Sequence, residues 1–135
     1  MIVSLQLPAT ERMQFKAGQY VEFLLKDGKR RAYSMATPPH ADELMTLHIR
    51  HMPGGVFTDH VFGAMKERDI LRFEGPLGSF YLRDSDKPAV FVASGTGFGP
   101  IKAMLEFALR ALPARGALAA NRCKAAATLF ARAVC

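Results

Sequence analysis

The sequence predicts a mainly β protein: a six-stranded antiparallel Greek-key barrel with one short helix, then an incomplete α/β unit of strand, glycine loop and helix, then a tail that is helical or disordered. Three features point there. The first part of the chain breaks into short apolar or alternating runs punctuated by Gly and Pro, which suits many short strands closed into a barrel. Phe57–Met65 is the one stretch of this half with helical spacing. Beyond a polar linker the pattern changes to a continuous apolar run, a glycine loop and a second helical stretch. The boundaries drawn are 1–84 for the barrel, 85–112 for the α/β unit and 113–135 for the tail.

Each element follows in order. Ile2–Leu7 is a short apolar run that stops at Pro8, and Tyr20–Leu25 is closed by the turn Lys26-Asp27-Gly28-Lys29. Arg31–Met35 stays extended until Thr37-Pro38-Pro39, which no strand interior tolerates. Leu44–Arg50 alternates between Leu44, Thr46, His48 and Arg50 on one face and Met45, Leu47 and Ile49 on the other, and Met52-Pro53-Gly54-Gly55 breaks it. In the helical stretch Phe57, Val61, Phe62 and Met65 share a face, with Thr58-Asp59 as start chemistry. Ile70–Glu74 and Phe80–Leu82 complete the strands, on either side of Gly75-Pro76-Leu77-Gly78. A barrel removes the exposed edges that so many short strands would leave.

After Asp84-Ser85-Asp86-Lys87-Pro88, the run Ala89–Ala93 reads as a strand buried on both faces in a parallel sheet. It leads into Ser94-Gly95-Thr96-Gly97-Phe98-Gly99-Pro100 and a helix from Ile101 to about Leu112, with Pro100 suited to the first turn. This is the opening of a nucleotide-binding unit. One such unit cannot make a sheet, so the domain is expected to be incomplete, a truncation.

Composition bounds the partners. Half of the 135 residues are hydrophobic and 22% are charged, the balance of an ordinary globular protein. All 12 acidic residues lie at or before Glu106, whereas Arg110, Arg115, Arg122, Lys124 and Arg132 follow it without one, so the net charge of +6 belongs mainly to the tail. A nucleic-acid binder needs its basic stripe on the folded body, and no nucleic-acid partner is expected. Cys123 and Cys135 cannot build an iron–sulfur cradle or a four-cysteine zinc site. His48 and His51 lie three apart on a strand that then turns, with no carboxylate pair nearby, so no metal is expected. No signal-like start and no apolar run near the roughly 20 residues of a membrane span are present, which favours the cytoplasm and no membrane partner.

Three short segments carry candidate chemistry. Arg31-Ala32-Tyr33-Ser34 places a guanidinium suited to phosphate, a flat ring and a hydroxyl on one strand, although a surface Arg beside a core Tyr would read the same way. Gly54-Gly55-Val56-Phe57-Thr58 opens a helix whose N–H groups suit a phosphate, and equally a simple turn with a Thr cap. Gly95-Thr96-Gly97-Phe98-Gly99-Pro100 suits a pyrophosphate, but it lacks the Gly-x-Gly-x-x-Gly spacing and an acidic residue about 20 positions on.

Their order decides between these meanings. Arg-x-Tyr-Ser, Gly-Gly-x-Phe-Thr at a helix start, Glu-Gly-Pro-x-Gly-x-Phe and Gly-Thr-Gly-x-x-Pro, running from about Leu5 to Glu106, resemble the ferredoxin–NADP reductase superfamily. The stretch Arg50–Phe62 is most similar to bacterial reductases of deoxysugar synthesis and of oxygenases. The resemblance implies an FAD-dependent NAD(P)H oxidoreductase domain, with electrons leaving for an iron–sulfur or similar acceptor supplied by another domain or chain. It implies Arg31 on the FAD pyrophosphate, Tyr33 stacked on the isoalloxazine and Ser34 near flavin N5, the latter two as catalytic residues. His48, Ile49 and Arg50 would flank the flavin, and Gly55, Val56, Phe57 and Thr58 would cap the diphosphate. Gly95, Thr96 and Gly97 would line the nicotinamide side. Two departures stand out: Glu67-Arg68-Asp69 replaces the usual Gly-Asp turn, expected to be harmless, and the alanine- and arginine-rich tail lacks the strands that hold the adenosine end of NAD(P)H, so turnover is expected to be weak. The alternatives are a non-catalytic barrel remnant and a reductase that uses flavin as a diffusible substrate.

Overall fold

A computed structural model describes residues 1–8, 12–41, 43–85 and 89–114, with backbone alone over 111–114. The elements are β1 (Ile2–Gln6), β2 (Tyr20–Leu24), β3 (Arg30–Ser34), β4 (Leu44–His48), α1 (Val56–Asp59), β5 (Phe73–Leu77) and α2 (Phe98–Ala114). A π-helical turn, His60–Ala64, continues α1, and a 3-10 turn, Gly95–Gly97, leads into α2. The boundaries proposed from the sequence thus place β1 to β5 and α1 in the first segment and most of α2 in the second, with α2 running past 112 to Ala114. The tail from 115 onward lies outside the described residues.

Among the described residues all the strand pairs are antiparallel. β1 pairs with β4, Ile2 opposite His48 and Gln6 opposite Leu44. β2 sits between β3 and β5 in a second sheet. An isolated bridge from Met35 to Leu47 links the two.

The expected six-stranded closed barrel is therefore corrected to five strands in two open sheets among the described residues. Closure requires every edge strand to meet a partner in register, and among the described residues one isolated β-bridge, with hydrogen bonds just beyond it, joins the sheets. Ile70–Glu74 is displaced, since β5 starts at Phe73 and continues through Gly75-Pro76 to Leu77. Phe80–Leu82 is not a strand: a turn places the Tyr81 N–H on the Ser79 carbonyl at 3.2 Å, and Leu82 reaches Ala17 through one long hydrogen bond of 3.4 Å. Ala89–Ala93 is not a strand either, nor is it buried on both faces. Only Phe91 and Ala93 pack toward α2, while Val90 and Val92 are 79% and 81% exposed. A parallel strand exists only through hydrogen bonds to its neighbours, and no described strand runs beside this segment.

The core follows from alternation. In β2, Val21 and Phe23 point inward and are essentially inaccessible, and Met45 and Leu47 of β4 do the same. They join Val3, Met35, Ile49, Phe57 and Val61 in one cluster. Phe23 is its centre: its ring stacks on Phe57 at 4.8 Å and meets Phe73 edge-on at 6.0 Å. A smaller cluster, Ala17 with Ile101, Ala103 and Met104, seats α2 against the loop before β2. Gly18 makes that seat possible. Its φ is +108°, and a Cβ there would lie 2.5 Å from the Phe80 carbonyl oxygen, so only glycine lets the two backbones cross.

The turn Glu67-Arg68-Asp69 forms, but Arg68 takes φ +72°. The Asp69 carboxylate accepts the Lys66 N–H at 2.9 Å and holds the turn. A left-handed non-glycine residue costs about 1–2 kcal/mol, so the departure noted in the sequence is paid for in strain. Arg68→Gly is expected to raise stability by up to about 1 kcal/mol, allowing for glycine's greater unfolded entropy. Urea unfolding checks this, and an unchanged or lower midpoint would remove strain as the explanation.

Candidate functional site

β3 carries two arginines with opposite fates. Arg30 faces the outside of the three-stranded sheet, where its guanidinium ion-pairs with Glu22 of β2 and Glu74 of β5. Arg31 lies on the other face, directly opposite Phe23, and is exposed. Its Nη1 donates to the Arg30 carbonyl at 2.8 Å, and no described carboxylate pairs with it. A guanidinium has five N–H donors, so most of this fork is left for an anion.

Tyr33, on the same face as Arg31, is half-buried. Its ring lies 5.2 Å from Phe57 and 5.9 Å from Phe23. Burial pushes its phenol above the ordinary tyrosine range, only partly countered by the Arg31 charge, so the hydroxyl stays protonated and able to donate at neutral pH. Ser34 follows, opposite Tyr20 and half-buried.

Phe57 links this face to the glycine turn. Gly54 has φ +81°, and a Cβ on Gly55 would collide with Thr58 Oγ1 at 2.6 Å and the Met52 carbonyl oxygen at 2.9 Å. The buried Thr58 hydroxyl donates to the Met52 carbonyl at 2.8 Å and accepts the Met52 N–H at 3.3 Å, so it closes the turn from inside. Val56 is exposed at the start of α1, whereas Phe57 is in the core. Asp59 closes the turn from outside, accepting the Gly54 N–H at 3.0 Å and a hydrogen bond from His51 Nε2 at 2.8 Å. Neither His51 nor Asp59 is among the site residues expected from sequence. The only signal for them is an Asp five residues beyond a glycine that needs a left-handed φ.

A second group forms at the far ends of β3 and β4, roughly 16 Å along the strand from Arg31 to Ala36. Ile49 is buried, its carbonyl accepting the Met1 ammonium at 3.0 Å, while Arg50 is exposed. The His48 ring stands 6.4 Å from Phe98. Gly99 packs so closely that a Cβ would touch Ala36 at 3.4 Å and His48 at 3.6 Å. Lys102 donates to the Ala36 carbonyl at 3.3 Å and to Glu106 at 2.9 Å. α2 thus brings the exposed Gly95-Thr96-Gly97 turn to the end of the sheets where His48 lies. Arg31, Tyr33, Val56 and Phe57 gather at one end of this line, and His48 with the Gly95–Gly99 loop at the other.

Burial, then the Lys102 and N-terminal charges, hold the His48 imidazole below the ordinary histidine value. Its folded value lies below the unfolded one of about 6.5, so the unfolded chain takes up the proton first as pH falls. The neutral imidazole therefore contributes stability that is intact above about pH 6.5 and is lost as pH drops through the folded value. Unfolding free energy is expected to fall between about pH 7 and pH 5 in the wild type, with a shallower fall in His48→Gln. Parallel profiles in urea titrations would discard this assignment.

Two clefts lie apart from most of these residues. One of about 850 Å³ is lined by Phe23, Leu25, Val56, Phe57, Ile70 and Arg72 among others, and shares only Val56 and Phe57 with the expected set. One of about 730 Å³, between Thr37, His40, Thr46 and Lys102, shares none. Among the described residues no three His, Cys, Asp or Glu side chains converge as a metal site would require, and no helix is long and apolar enough to cross a membrane.

Residues 1–81 match the sequence family described as the oxidoreductase FAD-binding domain. Among curated proteins, the CDP-6-deoxy-L-threo-D-glycero-4-hexulose-3-dehydrase reductase of Yersinia pestis is 44% identical over 105 residues, 78% of this chain and 32% of that protein. Reductase component 1 of a terephthalate 1,2-dioxygenase from Comamonas is 46% identical over 106 residues, 78% of this chain and 31% of that protein. Among solved structures, the Amycolatopsis cytochrome P450 reductase GcoB superposes with a TM-score of 0.76 at 38% identity, covering 83% of this chain and 35% of that one. The chain spans about a third of the length of these relatives.

Proposed function

This chain belongs to the oxidoreductase FAD-binding domain family, and from that premise we propose that it holds FAD and serves an NAD(P)H-dependent reductase whose electrons pass to an iron–sulfur or similar acceptor. One observation carries the proposal above the rest. The inner face of β3 sets Arg31, a cation without a described carboxylate partner, two residues from Tyr33, whose ring touches Phe57 behind the glycine turn. An anion-seeking fork, a flat ring and a tight glycine turn within one patch are the donor set that a dinucleotide of flavin requires, and the residues present fit that group.

In this proposal Arg31 binds the pyrophosphate, and Gly55, Val56 and Phe57 cap it, the Val56 and Phe57 N–H groups donating while the Gly55 N–H holds the Met52 carbonyl. Thr58 contributes to the cap, its hydroxyl shaping the turn through Met52. Tyr33 stacks on the ring system, and Ser34 offers a hydroxyl near N5. His48, Ile49 and Arg50 flank the flavin along β4 and just past it. Gly95, Thr96 and Gly97 line the side from which the nicotinamide approaches. The bound flavin would supply the chemistry, accepting two electrons as hydride and releasing them singly. The chain's own part is to orient that ring, neutralise the phosphates and keep water from one face.

The acceptor is proposed from the company the family keeps: two of the relatives named above are reductases of a dehydrase and of a dioxygenase system. We assign it no nucleic-acid partner, since residues 1–106 are nearly neutral in charge, and we place it in the cytoplasm without a membrane partner.

The test is the visible spectrum after incubation with FAD and desalting. Structured flavin bands that stay with the protein are expected, and NADH bleaching would then report access of the nicotinamide. Flavin that washes off but is reduced in the presence of NADH would point instead to a reductase of diffusible flavin. A colourless, inactive protein with a folded circular dichroism spectrum would end the flavin proposal.

A further inference from the structure

We infer that His51 and Asp59 form a clamp that positions the Gly54–Gly55 turn for the diphosphate, a role resting on the flavin proposal above. The turn has much to lose by ordering, since glycine gives up more conformational freedom than any other residue. The helix it precedes cannot hold it. α1 has four residues before it passes into a π-turn, and Gly55 at its start has no side chain with which to cap it. Asp59, at the end of α1, reaches back to do so.

The geometry is a closed set of hydrogen bonds. Gly55 N–H donates to the Met52 carbonyl at 2.8 Å, and Asp59 N–H donates to the Gly55 carbonyl at 2.8 Å. Asp59 Oδ2 accepts the Gly54 N–H at 3.0 Å, while Oδ1 accepts from His51 Nε2 at 2.8 Å. The His51 ring is itself fixed by stacking on Phe62, with centroids 4.8 Å apart and planes 19° from parallel. With Thr58 on the inside and the His51–Asp59 pair on the outside, the turn is gripped from both sides. The interaction is exposed, so its value lies in fixing the conformation of the turn rather than in global stability.

The experiment compares wild type, Asp59→Ala and Asp59→Asn of the full chain by FAD titration, with hydrogen exchange of the Gly54 amide alongside. Asp59→Ala is expected to weaken FAD binding by about tenfold, as the binding-competent turn becomes a minority conformer, and to speed Gly54 exchange. Asp59→Asn keeps a carbonyl oxygen for the Gly54 N–H and offers an amide donor that His51 Nε2 accepts once the ring proton sits on Nδ1. It is expected to restore affinity to within about threefold of wild type, which a merely structural loss of the side chain would not do. If Asp59→Ala does not fold, His51→Ala, which removes only the outer arm, is expected to lower affinity by about threefold. Wild type that binds FAD with Asp59→Ala its equal would overturn the clamp alone, as would Asn behaving like Ala. Wild type that fails to bind FAD would overturn the flavin proposal, and the role assigned to the clamp with it.

Discussion

Phe23→Ala is expected to lower the unfolding free energy by about 3–5 kcal/mol, the range for deleting a buried aromatic ring. Phe23 is 1% exposed, and it contacts the rings of Tyr33, Phe57 and Phe73 at once. Those rings come from β3, α1 and β5, so no single element can move in to fill the hole without leaving another. A domain of this size has about 5–15 kcal/mol in total, and the variant is expected to be marginal at room temperature. Phe23→Leu keeps much of the volume and is expected to lose less than half as much. Urea unfolding of both variants checks the ranking. Equal midpoints for wild type and Phe23→Ala would mean that the two sheets do not depend on this cluster.

Arg31→Ala is expected to weaken FAD binding by about 10–100-fold, because hydrogen bonds between charged groups are worth roughly 1.5–3 kcal/mol. The informative control is next door. Arg30 is exposed, as Arg31 is, but is already paired with Glu22 and Glu74. Arg30→Ala should therefore leave FAD affinity within about twofold and change stability by less than about 1 kcal/mol. Arg31→Lys keeps the charge but not the planar fork, and is expected to fall between wild type and Ala. Fluorescence quenching of FAD on titration with each variant separates these cases. If Arg30→Ala and Arg31→Ala lose affinity equally, the effect is the general positive field of β3 and not a contact from Arg31.

Much of the local structure was legible in the sequence because the signals were local. The alternation in Leu44–His48 specifies a strand by side-chain period, and the aromatic and aliphatic run from Tyr20 does so by residue type and the turn that closes it. The helical spacing after Gly55 located α1 and its π-turn to within one residue, and Pro100 marked the first turn of α2. The Arg31–Ser34 and Gly54–Thr58 segments were identified as motifs, and contact between Tyr33 and Phe57 brings them into one patch.

What failed was non-local. Ala89–Ala93 has the composition of a buried strand, yet composition cannot supply the neighbour whose backbone would pair with it, and the segment is left out of the sheets with Val90 and Val92 outward. Closure of the barrel failed for the same reason, since register between distant strands depends on partners rather than on runs. The His51–Asp59 pair was invisible because it depends on the path of the Gly54–Gly55 turn and not on spacing.

By itself, then, the sequence determined β1 to β4 and the two helical segments, because those depend on period, turn residues and residue type within a few positions. Only the tertiary structure decided which strands pair, that Arg30 is neutralised by carboxylates of two other strands while Arg31 is not, and that the start of α2 packs Phe98 and Gly99 against His48. Each of these is settled by contacts between residues far apart in the chain, where the free energy of packing and pairing outweighs any local preference.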